Sequence, residues 1–122
     1  MSKMKRLCFS FLFVAVSTIF AGGFSKTFPL NTGAVTLGNT QKRSSWIPVA
    51  LLFHFTEPVD TTVSIKRLSK GQEFLLSSIT LSSVQDFTWI PEGDYPFNFG
   101  DTLVVYSSAT NGTLEIIQRS SP

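Results

Sequence analysis

Beyond its first two dozen residues the chain alternates apolar and polar positions with a period of two, in short runs broken by Gly, Pro, Asn and Asp. No window of about eleven residues keeps a helical period with capping signals at both ends. The pattern predicts strands. Ala34 to Leu37 is the first, ended by Gly38-Asn39. Trp46 to Phe55 is the most apolar, with Ile47, Val49, Leu51, Phe53 and Phe55 on one face and Trp46, Pro48, Ala50, Leu52 and His54 on the other. Apolar residues on both faces predict a strand covered on both sides or crossing between packed layers. Pro48 lacks an N–H, so its part of the strand is predicted to be an edge or a bulge. Thr61 to Leu68 and Glu73 to Leu81 read as a hairpin joined at Ser69-Lys70-Gly71-Gln72, followed by a strand from Val84 to Ile90. A short piece at Phe97 to Phe99 precedes the strand Thr102 to Ser108. Asn111-Gly112 predicts a tight hairpin into Thr113 to Gln118, because both residues tolerate positive φ. Turns are expected at Phe28 to Gly33, Glu57 to Asp60 and Pro91 to Pro96.

About seven strands with turns at ~8–12-residue spacing predict an all-β fold, an antiparallel β-sandwich of immunoglobulin-like or jelly-roll-like kind. No internal repeat or linker divides it.

The first residues follow a different rule. Lys3, Lys5 and Arg6 precede an uncharged run from Leu7 to Ser25, and small residues follow at Ala21, Gly22, Gly23 and Ser25. A basic start, an apolar middle and a small-residue end predict a secretory signal peptide over residues 1–23, ahead of a single domain over 24–122. Cleavage after Gly23 or after Ser25 leaves a small residue at the third position back. The rival reading is an uncleaved membrane anchor, although Leu7 to Ala21 is shorter than the ~20 residues a span needs. Either way the domain is expected outside the cytoplasm, in a periplasm, on a cell surface or secreted, touching a membrane only through this segment if it is kept.

Setting the leader aside changes the chemistry. The chain's formal charge is +2. Without Lys3, Lys5 and Arg6, seven Lys and Arg face eight Asp and Glu, a net of −1, so no basic excess points to nucleic acid. Cys8, the single cysteine, leaves as well, and with it any disulfide or thiolate chemistry. From Phe24 to Lys70 six basic residues outnumber two acidic ones. From Gly71 to Pro122 one basic residue faces six acidic ones. If the two halves form different faces, copies attract head to tail.

Catalytic sets are sparse. His54 is the only histidine. It sits between Phe53 and Phe55 without a Gly-x-Ser-x-Gly motif, and reads as a core or strand-end residue rather than a triad base. One histidine and no mature cysteine leave no typical zinc site, and no cofactor is expected. Asp86, Glu92, Asp94 and Asp101 read first as solvated turn residues and only then as a calcium site or a hydrolytic pair. Trp89, Tyr95, Phe97 and Phe99 surround the Pro91–Pro96 turn. Core packing is the plainer reading of Trp89, Phe97 and Phe99. Tyr95, beside Asp94 at the turn tip, leads a candidate ligand-binding set of Tyr95, Trp89, Phe97 and Asp94, suited to stacking on a sugar or anchoring a protein. Asn111-Gly112-Thr113 also matches a glycosylation sequon.

Three segments, Thr62-Val63-Ser64-Ile65, Trp89-Ile90-Pro91 and Phe97 through Val105 with its Gly100-Asp101 strand entry, resemble small β-sandwich structural proteins of phages and prophages. The resemblance covers about half the chain and implies a virion or tail component. The function expected is a non-enzymatic module acting in binding or assembly, with a protein partner or its own copies. A glycan- or ligand-binding module is the first alternative, and a small hydrolase using the turn carboxylates is the second.

Overall fold

The computed structural model describes residues 23–121, so the predicted leader lies outside the described residues save for Gly23. Six strands follow in chain order: β1 Gly23–Pro29, β2 Ala34–Gly38, β3 Ser45–Ser69, β4 Gln72–Trp89, β5 Thr102–Ser107 and β6 Gly112–Ser121. The described residues form no helix, and so none long and apolar enough to cross a membrane. All pairings are antiparallel, in the order β1-β6-β3-β5-β2, with β4 attached to β3 alone. The all-β antiparallel expectation holds, as one curled sheet.

Two strands are longer than the sequence pattern predicts, and they cause the curl. β3 runs 25 residues. Its first part pairs with β6 from Ser45 to Phe55, and its second part pairs with β5 from Val63 to Leu68. β4, of 18 residues, follows β3 along both parts. The turn predicted at Glu57 to Asp60 does not reverse the chain. The backbone stays extended and bends through register shifts between His54 and Val59 and between Val59 and Thr61. Pro58 falls between the registered positions Phe55 and Val59, where its missing N–H costs no ladder bond. Val84 to Trp89 is likewise continuous with the strand before it. Ser83 absorbs the bend at φ 54°, its N–H donating to Asp60 Oδ1 at 2.8 Å. Fusion of predicted strands, together with the unpredicted β1, accounts for six where about seven are expected.

Pro48 sits at a bulge, as its missing donor predicts: the register with β6 shifts between Pro48 and Ala50. The extra residue resets the side-chain alternation. Trp46 therefore shares the core with Leu51, Phe53 and Phe55, while Val49, expected on that face, is exposed. The core is one cluster that joins both parts of the sheet, with Val63, Ile65, Leu103 and Val105 from one and Leu51, Phe53, Leu114 and Ile116 from the other.

The Ser69–Gln72 hairpin forms as expected, with Lys70 at φ 54° and Gly71 at φ 82°, the backbone of a type I′ turn. The Asn111-Gly112 hairpin does not form. β5 lies between β3 and β2, β6 lies between β3 and β1, and neither Asn111 nor Gly112 has positive φ. The segment instead crosses from one part of the sheet to the other. Gly112 is needed for a different reason: a Cβ there would collide with the His54 carbonyl oxygen.

The strand order interleaves the two halves of the chain: β1, β2 and β3 come from the basic half and β4, β5 and β6 from the acidic half, and they alternate along β1-β6-β3-β5-β2. Few of the charges sit on those strands: β2 and β5 carry none, and β3 holds Glu57 and Asp60 beside Lys66 and Arg67.

Candidate functional site

The loop between β4 and β5 holds most of the residues singled out from sequence. Phe97 is fully buried and stacks on Trp46, with ring centroids 4.5 Å apart and planes 1° from parallel. Their backbones pair as well: the Phe97 N–H donates to the Trp46 carbonyl at 2.8 Å and the Trp46 N–H donates back at 3.2 Å. Trp89 is buried in the same cluster, and Tyr95 packs half-buried against it. Phe99, read as a core residue, is instead 52% exposed, as is Ile90 to a greater degree. Asp94 is exposed and bonds Arg119 at 3.0 Å, which ties the loop to β6. The four residues of the candidate set thus do not form one exposed surface. Two are core, one is wedged against it, and one is in a surface ion pair.

What anchors this loop is Asn39, which the sequence pattern marks only as the end of a strand. It is buried, and its amide donates to the carbonyls of Ser44 (2.9 Å) and Phe97 (2.8 Å) while its Oδ1 accepts from the Gln41 N–H (2.9 Å). Its backbone holds Gly100 and Asp101. Asp101 is also buried. Its carboxylate accepts from Ser69 Oγ at 2.7 Å and from the Asn98 N–H at 3.0 Å, closing a turn in which Gly100 takes φ 91°. Asp101 is therefore a structural clamp between the loop and the end of β3, rather than a solvated turn residue.

Beside this clamp an open cavity of about 500 Å³ is lined by Arg67, Ser69, Lys70, Asn98, Phe99, Gly100 and Asp101. Arg67 donates to the Pro96 carbonyl at 3.3 Å and lies 5.6 Å from the Phe74 ring, and its Nε is buried without a partner. Two cations beside an exposed phenyl ring can hold an anionic or planar group.

His54 lies on the outer face, not in the core. Its Nδ1 is 2.6 Å from Asp86 Oδ1, its cross-strand neighbour on β4. The two side chains are 59% and 72% exposed, so this is a solvated pair of small energetic weight. The four acidic residues read together from sequence are dispersed. Asp86 meets His54, Asp94 meets Arg119, Asp101 is clamped by Ser69, and Glu92 is exposed on the loop. Among the described residues no group of His, Cys, Asp and Glu could hold a metal.

Among the described residues the longest open edge is that of β4, which pairs with β3 alone, on one side. From Phe74 to Gln85 it carries no charge and no proline. Phe74 is 43% and Leu75 61% exposed at its start. The other edges are guarded: β1 contains Lys26 and Pro29, and β2 has only five residues. Sequence reasoning identified both pieces of β4 as strands. That they form one edge depends on strand order, which no local pattern encodes. No protein-family model matches the chain, and a search of curated proteins finds no match.

Proposed function

We propose that this chain is an exported, non-enzymatic module that acts by binding or assembly, its curled sheet closing as a two-layered sandwich and its partner joining at the β4 edge. The observation that carries the reading is the unguarded edge itself. A strand edge presents a row of unpaired N–H and C=O groups, and proteins that stay separate blunt such rows with charge, proline, brevity or bulges. Between Phe74 and Gln85 β4 has neither charge nor proline, and its bulges at Leu76 and at Ser82-Ser83 leave Ser77 to Leu81 regular, whereas β1 contains Lys26 and Pro29 and β2 has five residues. Strand addition at an edge draws its affinity from main-chain hydrogen bonds and its selectivity from alternate side chains. A virion or surface component, the role implied by the phage-protein resemblance, would use an edge in this way.

The test is site-specific photocrosslinking in cells that naturally make the chain. A photoreactive residue at Ser78, Thr80 or Ser82 is expected to give a discrete protein adduct, and one at Thr36 on β2 is expected to give none. Equal adducts from both strands, or none from β4, would remove the edge from the reading.

A second reading rests on the cavity between Arg67, Lys70 and Phe99. It makes the chain a module for an acidic glycan or another anionic ligand. Binding on an array of acidic glycans that is lost with Phe99→Ala would favour it, and binding unchanged in that variant would exclude the cavity.

A further inference from the structure

We infer that the partner at the β4 edge is a second copy of this chain, paired antiparallel about a two-fold axis that passes beside Thr80. The inference rests on the proposed role of that edge and names its occupant.

The argument begins with the order of residues. Leu76-Ser77-Ser78-Ile79-Thr80-Leu81-Ser82-Ser83-Val84 reads nearly the same in both directions when residues are grouped by kind. Thr80 is the centre. Ile79 mirrors Leu81, Ser78 mirrors Ser82, Ser77 mirrors Ser83, and Leu76 mirrors Val84. An antiparallel two-fold pair sets each residue opposite its mirror position, so in this register Ile79 meets Leu81 and Ser78 meets Ser82 on either side of the Thr80 pair. Shifting the register by one residue would set Ile79 against a threonine or serine and turn the core side of one strand toward the outer side of the other.

The structure makes this symmetry usable. From Ser77 to Leu81 the pairing of β4 with β3 has no shift, so the free edge there is regular. Ile79 packs against the core and Leu81 is buried in it, while Ser78, Thr80 and Ser82 are exposed on the other face. Pairing at this register therefore extends the core across the axis and leaves a hydroxyl row outside. The ladder ends at Ser83, whose N–H is committed to Asp60.

Charge agrees. The residues of β4 nearest this segment that carry charge are Glu73 and Asp86. In the two-fold register Asp86 faces Phe74 of the copy and Glu73 faces Phe87, so no like charges oppose each other. Each also has a counterpart within its own chain, Lys66 at 3.3 Å for Glu73 and His54 for Asp86. The contact is isologous, uses up the β4 edge of both copies, and so stops at a dimer rather than growing into a fibre.

The test uses nitroxide labels on single cysteines at Thr80, Ser78 or Ser82, in the full chain with Cys8→Ser, purified as the cell processes it. The Thr80 label is expected to show the strongest spin–spin broadening between copies. Labels at Ser78 and Ser82 should show weaker and equal broadening, because each is offset from its own copy by four residues, about 13 Å along the strand. Mixing the Ser78- and Ser82-labelled proteins should restore the short distance. Thr80→Lys, which sets lysine against lysine, is expected to weaken association about tenfold or more, and Thr80→Val to preserve it. Circular dichroism confirms that each variant is folded. Association with any other distance pattern overturns the two-fold register and leaves the edge reading intact. A protein that stays monomeric to its solubility limit, yet gives adducts to a different protein at Ser78, overturns the second copy alone. Monomer without adducts overturns both.

Discussion

At the scale of single residues, the positions that matter most are those where a side chain or its absence answers to a neighbour distant in sequence. Gly112 is such a position. Adding one methyl group there sets it against the His54 carbonyl, and rigid backbone cannot yield cheaply. Gly112→Ala is expected to destabilise the domain by about 1–3 kcal/mol, the range seen for overpacking, as read from urea unfolding. Gln118 makes the opposite case. It is 1% exposed and its Oε1 has no hydrogen-bond partner. An unmet buried acceptor carries a desolvation penalty, so Gln118→Met, similar in shape, is expected to leave stability unchanged or raise it by about 1 kcal/mol. Loss of more than that would mean that the amide is paired in solution. Asn39 satisfies two carbonyls and one N–H, and Asn39→Ala strands all three. A cost of about 2–4 kcal/mol is expected, visible as a large fall in Tm.

At the scale of elements, β3 and β4 decide the shape. Their hairpin turn places Lys70 at positive φ, where a residue with a Cβ is strained and asparagine is the preferred substitute before glycine. Lys70→Asn is expected to stabilise the domain by about 0.5–1 kcal/mol in the same unfolding assay, without a change in fold. Much of these elements was legible beforehand. The period of two, the Lys70-Gly71 turn and the bulge at Pro48 all follow from local chemistry. The continuity of each long strand was not. Glu57-Pro58-Val59-Asp60 has the composition of a reversing turn, and a bulged, extended bend uses the same residues. Which one forms depends on Thr56 and Asp60 finding Asn111 and Ser83 across the fold. The Asn111-Gly112 pair failed as a hairpin signal for a related reason. Glycine marks both positive φ and close approach, and only the neighbouring strand tells them apart.

At the scale of the whole molecule, the interleaving of the basic and acidic halves of the chain within one sheet bears on how copies meet. A head-to-tail contact driven by separated charge would dissolve in salt. A contact made by main-chain pairing and apolar side chains would not. Association of the domain over residues 24–122 is therefore expected to persist, or tighten, between low and high salt in sedimentation velocity. Dissociation in salt would revive a charge-driven contact and count against the β4 edge.

Local order along the chain was enough to define an all-β, antiparallel protein without a disulfide in its domain, because alternation and turn chemistry act over a few residues and leave their mark in composition. The same order predicts an exported chain from the layout of its first residues. Tertiary structure alone decided which strands are neighbours, and so which aromatics are buried, which carboxylates are apart and which edge is left open. Trp89 and Phe97 look like Phe99 in sequence, yet the first two fill the core and the third faces solvent. The difference comes from what the curled sheet brings against each ring, and such contacts join residues too far apart for any local pattern to record.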